Sequence, residues 1–361
     1  MEYNSFRRKS RLTAIGKTAI GLDRPIAIQS MTNTDPHDVT ATLTQIGQLQ
    51  AAGCRIVRMA YPDHACAKTV EAVKNAYPDL PLVADIHFDY RLAIEAVDAG
   101  ADKIRINPGN IGDSGRIKAV VNACKVKNIP IRVGVNSGSL QKEVLARYDR
   151  VCAEALAESA LLNVREVEKN DYDNIVVAVK SSDVRTMIRA TRMVAEQTEY
   201  PIHIGVTESG TVSKGSIKSF VGIGSLLCDG IGDTLRISLT DHPVREVEEA
   251  KKLLASLSLS EEKQFNLISC PTCGRTCIDL IDLANRVEKA LESITPKRHL
   301  DIALMGCAVN GPGEAAGADI GIAGGKGEAL LFKKGKKVRM IPEETLIEEL
   351  LEEIERLNAG E

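Results

Sequence analysis

The 361-residue chain has no tryptophan and few other aromatics, seven tyrosines and five phenylalanines. So few stacking surfaces argue against a protein that reads bases or single strands. It also lacks an excess of basic charge. Its 46 Lys plus Arg stand against 49 Asp plus Glu, a formal net charge of −3, where a nucleic-acid partner favours a basic chain. No run approaches the roughly 20 apolar residues of a membrane span. The polar, basic start MEYNSFRRKSR is not followed by the apolar stretch of a secretory signal. A cytoplasmic protein with neither a nucleic-acid nor a membrane partner is expected. In that reducing compartment its nine cysteines are not expected to pair as disulfides.

What the chain does contain is an ordinary globular composition, 44% hydrophobic and 26% charged, at a length that favours more than one domain. From Pro25 to about Thr240, short β-branched runs alternate with helical ones. The predicted strands are 26–31, 56–61, 82–87, 103–108, 131–136, 175–180, 203–208 and 234–240. Segments with helical spacing, such as 39–52, 91–99, 115–127 and 184–197, lie between them, several ending in Ala-Gly. The repeat of about 30 residues matches the βα unit of a parallel sheet. Eight such units predict a (β/α)8 TIM barrel. An open doubly wound sheet would want a glycine-rich turn after its first strand, and that strand runs instead into Gln29-Ser30-Met31-Thr32.

The segment 12–22, with Gly16-Lys17 between apolar positions, predicts a small hairpin closing the bottom of the barrel. The βα rhythm stops after 243–257. The expected division is therefore a barrel at 1–257, a linker at 258–263 and a smaller α+β domain at 264–361. That domain has predicted strands at 266–269, 300–305 and 318–323, a hairpin turning at Lys333-Lys334-Gly335-Lys336, and a final helix over 343–357. The helix reads as an apolar stripe of Leu346, Leu350, Ile354 and Leu357 under a solvated acidic face.

In a TIM barrel the chemistry sits at the carboxyl ends of the strands, and alternate strand residues share a face. Asp85 and His87, Arg105 and Asn107, Arg132 and Asn136, and Arg236 and Ser238 are such pairs, with Gly134 leaving room within the third. Arg58, Lys180 and Glu208 are single polar residues ending other strands. Five of these side chains are cationic (Arg58, Arg105, Arg132, Lys180, Arg236) and two anionic (Asp85, Glu208), a local +3 on an acidic chain. Guanidiniums gathered in a concavity repel one another until an anion neutralises them, and their forks match phosphate oxygens. A small phosphate or diphosphate ester is the implied substrate. His87 beside Asp85 is a candidate for handling a proton or orienting the substrate.

Cys54, Cys66, Cys124, Cys152 and Cys228 are scattered through apolar stretches and read as core thiols. Cys270, Cys273, Cys277 and Cys307 instead lie in the last quarter, as SCPTCGRTC at 269–277 and GCAVNGPGE at 306–314. Two readings stand at this point: a structural zinc held by four sulfurs, and an iron–sulfur cluster that could use three thiolates with an oxygen ligand or an open position on the fourth iron. Glu314 is either such an oxygen or a solvated carboxylate. The zinc reading corresponds to a zinc-stapled, phosphate-binding TIM-barrel lyase or transferase, or to a metal-dependent interaction module.

Together, VADIHFDY (83–90), RINPGNIG (105–112), IRVGVNSGSL (131–140), GIGDTLRISL (230–239), SCPTCGRT (269–276) and GCAVNGPGEA (306–315) resemble the 4-hydroxy-3-methylbut-2-enyl diphosphate synthases, in the short bacterial form of two domains. The resemblance implies reductive ring opening and dehydration of 2-C-methyl-D-erythritol 2,4-cyclodiphosphate, a step of isoprenoid precursor synthesis. It implies one [4Fe–4S] cluster per chain, fed by reduced ferredoxin or flavodoxin, and a homodimer with the active site shared between subunits. Cys270, Cys273 and Cys307 match the family's cluster thiolates, and Glu314 matches the carboxylate on the fourth iron. Arg58, Arg105, Arg132, Lys180, Arg236 and Ser238 match positions that hold the diphosphate. Asp85, His87, Asn107, Asn136 and Glu208 match polar groups around the substrate carbons, with Glu208 expected to protonate the departing hydroxyl. Cys277 departs from the pattern and reads as an inert neighbour.

Overall fold

The computed structural model describes residues 6–307, 313 and 315–360. The chain divides into two compact units, Met1–Leu259 and Ser260–Glu361.

The first unit opens with an antiparallel hairpin, β1 (Thr13–Ile15) and β2 (Thr18–Ile20), turned by Gly16 at φ 53°. Eight parallel strands follow: β3 (Ala27–Met31), β4 (Ile56–Ala60), β5 (Leu82–Asp85), β6 (Lys103–Ile106), β7 (Ile131–Asn136), β8 (Ile175–Lys180), β9 (His203–Ile204) and β10 (Thr234–Leu235). Their order is β8-β7-β6-β5-β4-β3-β10-β9. A parallel bridge between Val177 and Ile202 joins the two ends of that series, and the Val177 N–H donates to Pro201 O at 2.9 Å. The sheet is thereby a closed (β/α)8 barrel.

The main helices between the strands are α1 (Val39–Ala51), α2 (Ala67–Ala76), α3 (Tyr90–Asp98), α4 (Pro108–Ile111), α5 (Ser114–Lys127), α6 (Lys142–Tyr148), α7 (Ala153–Glu168), α8 (Val184–Gln197), α9 (Val212–Cys228) and α10 (Pro243–Ser256). Aspartates start several of them. Asp38, Asp89, Asp113 and Asp183 accept from backbone N–H groups of the first turn at 2.8–3.0 Å, each cap contributing about 1 kcal/mol. Gly53 and Gly100, at φ 98° and 106°, turn the chain out of α1 and α3, as the Ala-Gly signals imply.

The main apolar core lies between the strands and this helical ring. A separate cluster of Ile15, Ile20, Ala27, Ile56, Val83 and Val176 sits inside the barrel where the strands begin. The hairpin therefore plugs that end. The last two strands are shorter than their sequence runs because their pairing thins to single bonds, such as Arg236 N–H to Ile204 O at 3.1 Å.

In the second unit, β11 (Phe265–Ser269), β12 (Leu300–Met305), β13 (Ile320–Gly324), β14 (Glu328–Lys333) and β15 (Lys336–Pro342) form one sheet in sequence order. The first three strands are parallel and the last two antiparallel. Lys334 and Gly335, at φ 47° and 71°, make the two-residue turn between β14 and β15. Helices α11 (Leu280–Leu291) and α12 (Leu346–Ala359) bury Leu283, Val287, Leu350 and Ile354 in one cluster with Ile302, Leu304 and Ile322 of the sheet. The acidic face of α12 is only partly solvated. Glu353 is buried, with Lys333 Nζ at 2.6 Å and Arg339 NH2 at 3.3 Å.

Candidate functional site

Strand alternation sends every second residue of each barrel strand inward, and those near the carboxyl ends meet there. There a cavity of about 130 Å³ is lined by Arg58, Asp85, His87, Arg105, Arg132, Gly134, Asn136, Ala178, Lys180, Thr207, Arg236 and Ser238. Ten residues singled out from sequence, on six strands or their ends, thus share one concavity.

Asp85 organises the cationic side. Its Oδ1 is 3.0 Å from Arg105 NH1, and its Oδ2 is 3.9 Å from Arg58 Nε and 3.4 Å from His87 Nε2. Burial alone would raise this carboxyl. The Arg58 charge, the His87 bond, Arg105 and Arg132 overcome that and hold it well below the usual carboxylate range. Burial brings the Arg58 guanidinium down to about 10 despite Asp85. Arg132 and Lys180 are lowered strongly, first by burial and then by the other cations around them. An entering anion relieves this mutual repulsion. The small residues make the space: a Cβ on Gly134 would lie 3.0 Å from Arg105 Nε.

Two expected residues lie elsewhere. Asn107 is buried as a loop brace. Its Oδ1 accepts from Gly109 N–H and Asn163 Nδ2, and its Nδ2 donates to Ser139 O, each at 3.2 Å. Glu208 is exposed, at φ 52°, a conformation few non-glycine residues adopt. Strand parity explains its place, since the inward series from β9 runs His203, Gly205, Thr207, and Thr207 lines the cavity.

Sequence reasoning missed Glu246. This buried first-turn residue of α10 clasps Arg236 through two 2.9 Å bonds and also accepts from Ser30 Oγ at 2.7 Å and Leu239 N–H at 3.1 Å. A helix residue reaching back ten positions leaves no strand-period signal. It also missed the buried Gln29, Lys103 and His203 lower in the barrel, although the alternation that selects Arg105 selects Lys103 one step down.

In the second unit Cys270 follows β11 and Cys307 follows β12, and Ser269 lies opposite Leu304 in that parallel pair. The two thiols therefore leave adjacent strands at one edge. Gly306 N–H donates to Cys270 Sγ at 3.3 Å, and Cys277 N–H ties the cysteine loop to Gly306 O at 2.9 Å. A Cβ at Gly306 would lie 2.8 Å from Thr276 Cγ2, so this approach needs glycine. The backbone hydrogen bond at Arg275, followed by the Arg275 charge, lowers the Cys273 thiol and favours thiolate. All four cysteines of this region are unpaired and at least partly exposed. Accessible cysteine sulfurs, one of them accepting from a backbone amide, fit a thiophilic metal group. Glu314 lies outside the described residues.

No helix among the described residues is long and apolar enough to cross a membrane. A family profile described as "GcpE TIM-barrel domain" matches residues 10–251, and one described as "GcpE protein C-terminal domain" matches 266–356. Proteins named 4-hydroxy-3-methylbut-2-en-1-yl diphosphate synthase (flavodoxin) are similar throughout. That of Ruminiclostridium cellulolyticum is 51% identical, covering 97% of this chain and 98% of its own. That of Clostridium perfringens is 52% identical over 97% and 99%, and that of Geobacter sulfurreducens 50% over 98% and 99%. Among solved structures, dihydropteroate synthases from Stenotrophomonas maltophilia and Vibrio fischeri superpose with a TM-score of 0.51 at 15% and 13% identity. They cover 69% and 70% of this chain and 98% and 100% of theirs. At that identity the likeness concerns the barrel fold alone.

Proposed function

The chain belongs to the GcpE family, and from that premise we propose how its residues carry out the reductive conversion of 2-C-methyl-D-erythritol 2,4-cyclodiphosphate to 4-hydroxy-3-methylbut-2-enyl diphosphate. The protein is an oxidoreductase of isoprenoid precursor synthesis. Two electrons and two protons enter, the ring opens at a carbon–oxygen bond, and one hydroxyl leaves as water. The observation that carries the reading is the cavity of five cations gathered around Asp85, with a cysteine set on the same chain.

Arg58, Arg105, Arg132, Lys180 and Arg236 neutralise the diphosphate, with Ser238 and Asn136 adding hydrogen bonds. Asp85 and Glu246 fix the guanidiniums beforehand, so little reorganisation is left for the bound state. His87, turned towards Asp85, orients the substrate hydroxyls and holds a proton at Nε2. Glu208, next to Thr207 at the rim, protonates the departing hydroxyl. Asn107 acts by bracing the loops rather than by touching substrate.

Cys270, Cys273 and Cys307 would hold a [4Fe–4S] cluster, and Glu314 would supply its oxygen ligand. When bound, the cluster supplies the electrons one at a time and a Lewis-acidic iron. Reduced flavodoxin, named for the relatives, or ferredoxin is the donor. The working form is a cytoplasmic homodimer with its active site shared between subunits.

The test is anaerobic purification followed by metal analysis and turnover. Four irons with matching sulfide per chain, and cyclodiphosphate turnover with reduced flavodoxin, support the reading. One zinc per chain, no visible absorbance and no turnover would overturn it in favour of a zinc-stapled phosphate-binding barrel.

A further inference from the structure

Beneath the anion cavity Gln29, Lys103 and His203 form a polar layer that the diphosphate site does not account for, bordered by Arg132 of the cavity itself. All four are no more than 1% exposed. Both amide atoms of Gln29, Nζ of Lys103, Nε and one terminal nitrogen of Arg132, and Nε2 of His203 have no hydrogen-bond partner among the described residues. Protein interiors seldom leave such groups unmatched. Below the layer Ile15, Ile20, Ala27, Ile56, Val83 and Val176 form a buried apolar plug that offers it no polar partner. Above it, the next inward residues after Arg132 and His203 are Gly134 and Gly205, so on those two strands no side chain separates the layer from the cavity.

We propose that Lys103 is the switchable cation of the anion site: uncharged in the free barrel, it takes up a proton when a dianion enters the cavity above it, and its charge then helps to hold that ligand. This rests on reading the cavity as the diphosphate site.

The charged groups around Lys103 come from several strands. Those that act on it are Arg132 on β7, Arg58 on β4 and His203 on β9; the other charges of the barrel mouth are Asp85 on β5, Arg105 one step up on β6, Lys180 on β8, and Arg236 after β10 with its Glu246 clasp. Asp85 is committed to Arg105, Arg58 and His87, and Glu246 to Arg236. Among the described residues no carboxylate is left for Lys103. Burial first, and then the Arg132 and Arg58 charges, push its ammonium well below the ordinary lysine range. Two negative charges placed at cavity level offset those two repulsions in a poorly screened interior.

The other candidates are less suited. His203 starts lower and is pushed further down by burial and four cations, while its Nδ1 is engaged with Thr234 Oγ1 at 2.7 Å. Lys180 lines the cavity and is 7% exposed, so it meets the ligand directly. Lys103 is a positioning residue that acts through space.

The experiment is isothermal calorimetry on the cluster-loaded protein without reductant, in buffers of different ionisation heat and over a pH series. The probe is the cyclodiphosphate, whose two strongly acidic phosphate hydroxyls are ionised throughout. Inorganic sulfate, also a fully ionised dianion, is the second probe. The expected result is uptake of about one proton per ligand and an affinity that falls up to about tenfold per pH unit on the alkaline side. K103M, an uncharged near-isostere, loses the uptake, binds more weakly and flattens the pH slope. K103R, permanently charged, also binds without uptake. Binding by the wild-type protein without uptake, or unchanged uptake in K103M, overturns the proposal. Should both variants fail to fold, K180M decides, because Lys180 is lowered too: uptake kept in K180M assigns the proton to Lys103, and uptake lost there overturns the proposal. If sulfate binds with proton uptake while the cyclodiphosphate does not bind, the functional reading fails and this proposal stands. If neither binds, both fall.

Discussion

Glu246 and Arg236 form a buried fork, Nε to Oε2 and NH2 to Oε1 at 2.9 Å each, so one guanidinium of the anion site is aimed by a residue that does not line the cavity. Removing the carboxylate strands a charge inside the barrel. E246A should lower the unfolding free energy by about 3–5 kcal/mol, as for other broken buried pairs, and E246Q by less. Chemical denaturation measures this. Both variants should also raise KM for the cyclodiphosphate, with E246Q changing kcat little.

Gly134 is placed to test how tightly the cavity is packed. Its missing Cβ would stand 3.0 Å from Arg105 Nε and 3.5 Å from NH2, and Arg105 is already fixed by Asp85. G134A should displace Arg105 and cost about 1–3 kcal/mol of stability, as overpacking does. The steady-state signature is a raised KM. An unchanged KM would mean that Arg105 can swing aside without loss.

His37 sits between two carboxylates, with Nδ1 2.7 Å from Asp35 Oδ1 and Nε2 2.9 Å from Asp63 Oδ2, linking the loops after β3 and β4. The Asp35 bond first, and then the Asp63 bond, raise its protonation midpoint above 6.5. A raised histidine stabilises the fold fully below its unfolded midpoint, and the contribution fades as pH climbs through the folded one. Proton NMR should show His37 titrating above 6.5 in the wild type and moving down in D63N.

Cys277 donates from Sγ to Arg275 O at 3.3 Å and is exposed. C277S should keep iron, sulfide and turnover, whereas C270S, C273S and C307S should each lose the cluster. Iron and sulfide analysis of the four variants separates a bystander from a ligand.

Much of this was legible in the sequence because parallel strands buried on both faces read as β-branched runs, and alternation then fixes which residues face inward. The helix over 184–197 and the strands at 131–136, 175–180 and 300–305 keep their predicted bounds. Thr207 was hidden because the run after His203 was read to its last polar residue, Glu208, where parity favours the residue before it. Asn107 looked like its partner Arg105, but the Pro-Gly that follows draws its side chain into capping α4. Glu246 and Glu353 were hidden for one reason: each is a helix carboxylate drawn inward by a strand cation, and helix periodicity alone calls such a residue solvated.

The hairpin plug has a kinetic consequence. With Ile15 and Ile20 sealing the end where the strands begin, the barrel is a blind sac with a single doorway. In the proposed reaction product leaves by the route along which the next substrate arrives, and both carry a diphosphate for the arginines proposed to hold it. Turnover therefore proceeds by exchange at one threshold. The linear product should act as a competitive inhibitor of its own precursor, and accumulated product should slow the enzyme without any separate regulatory site.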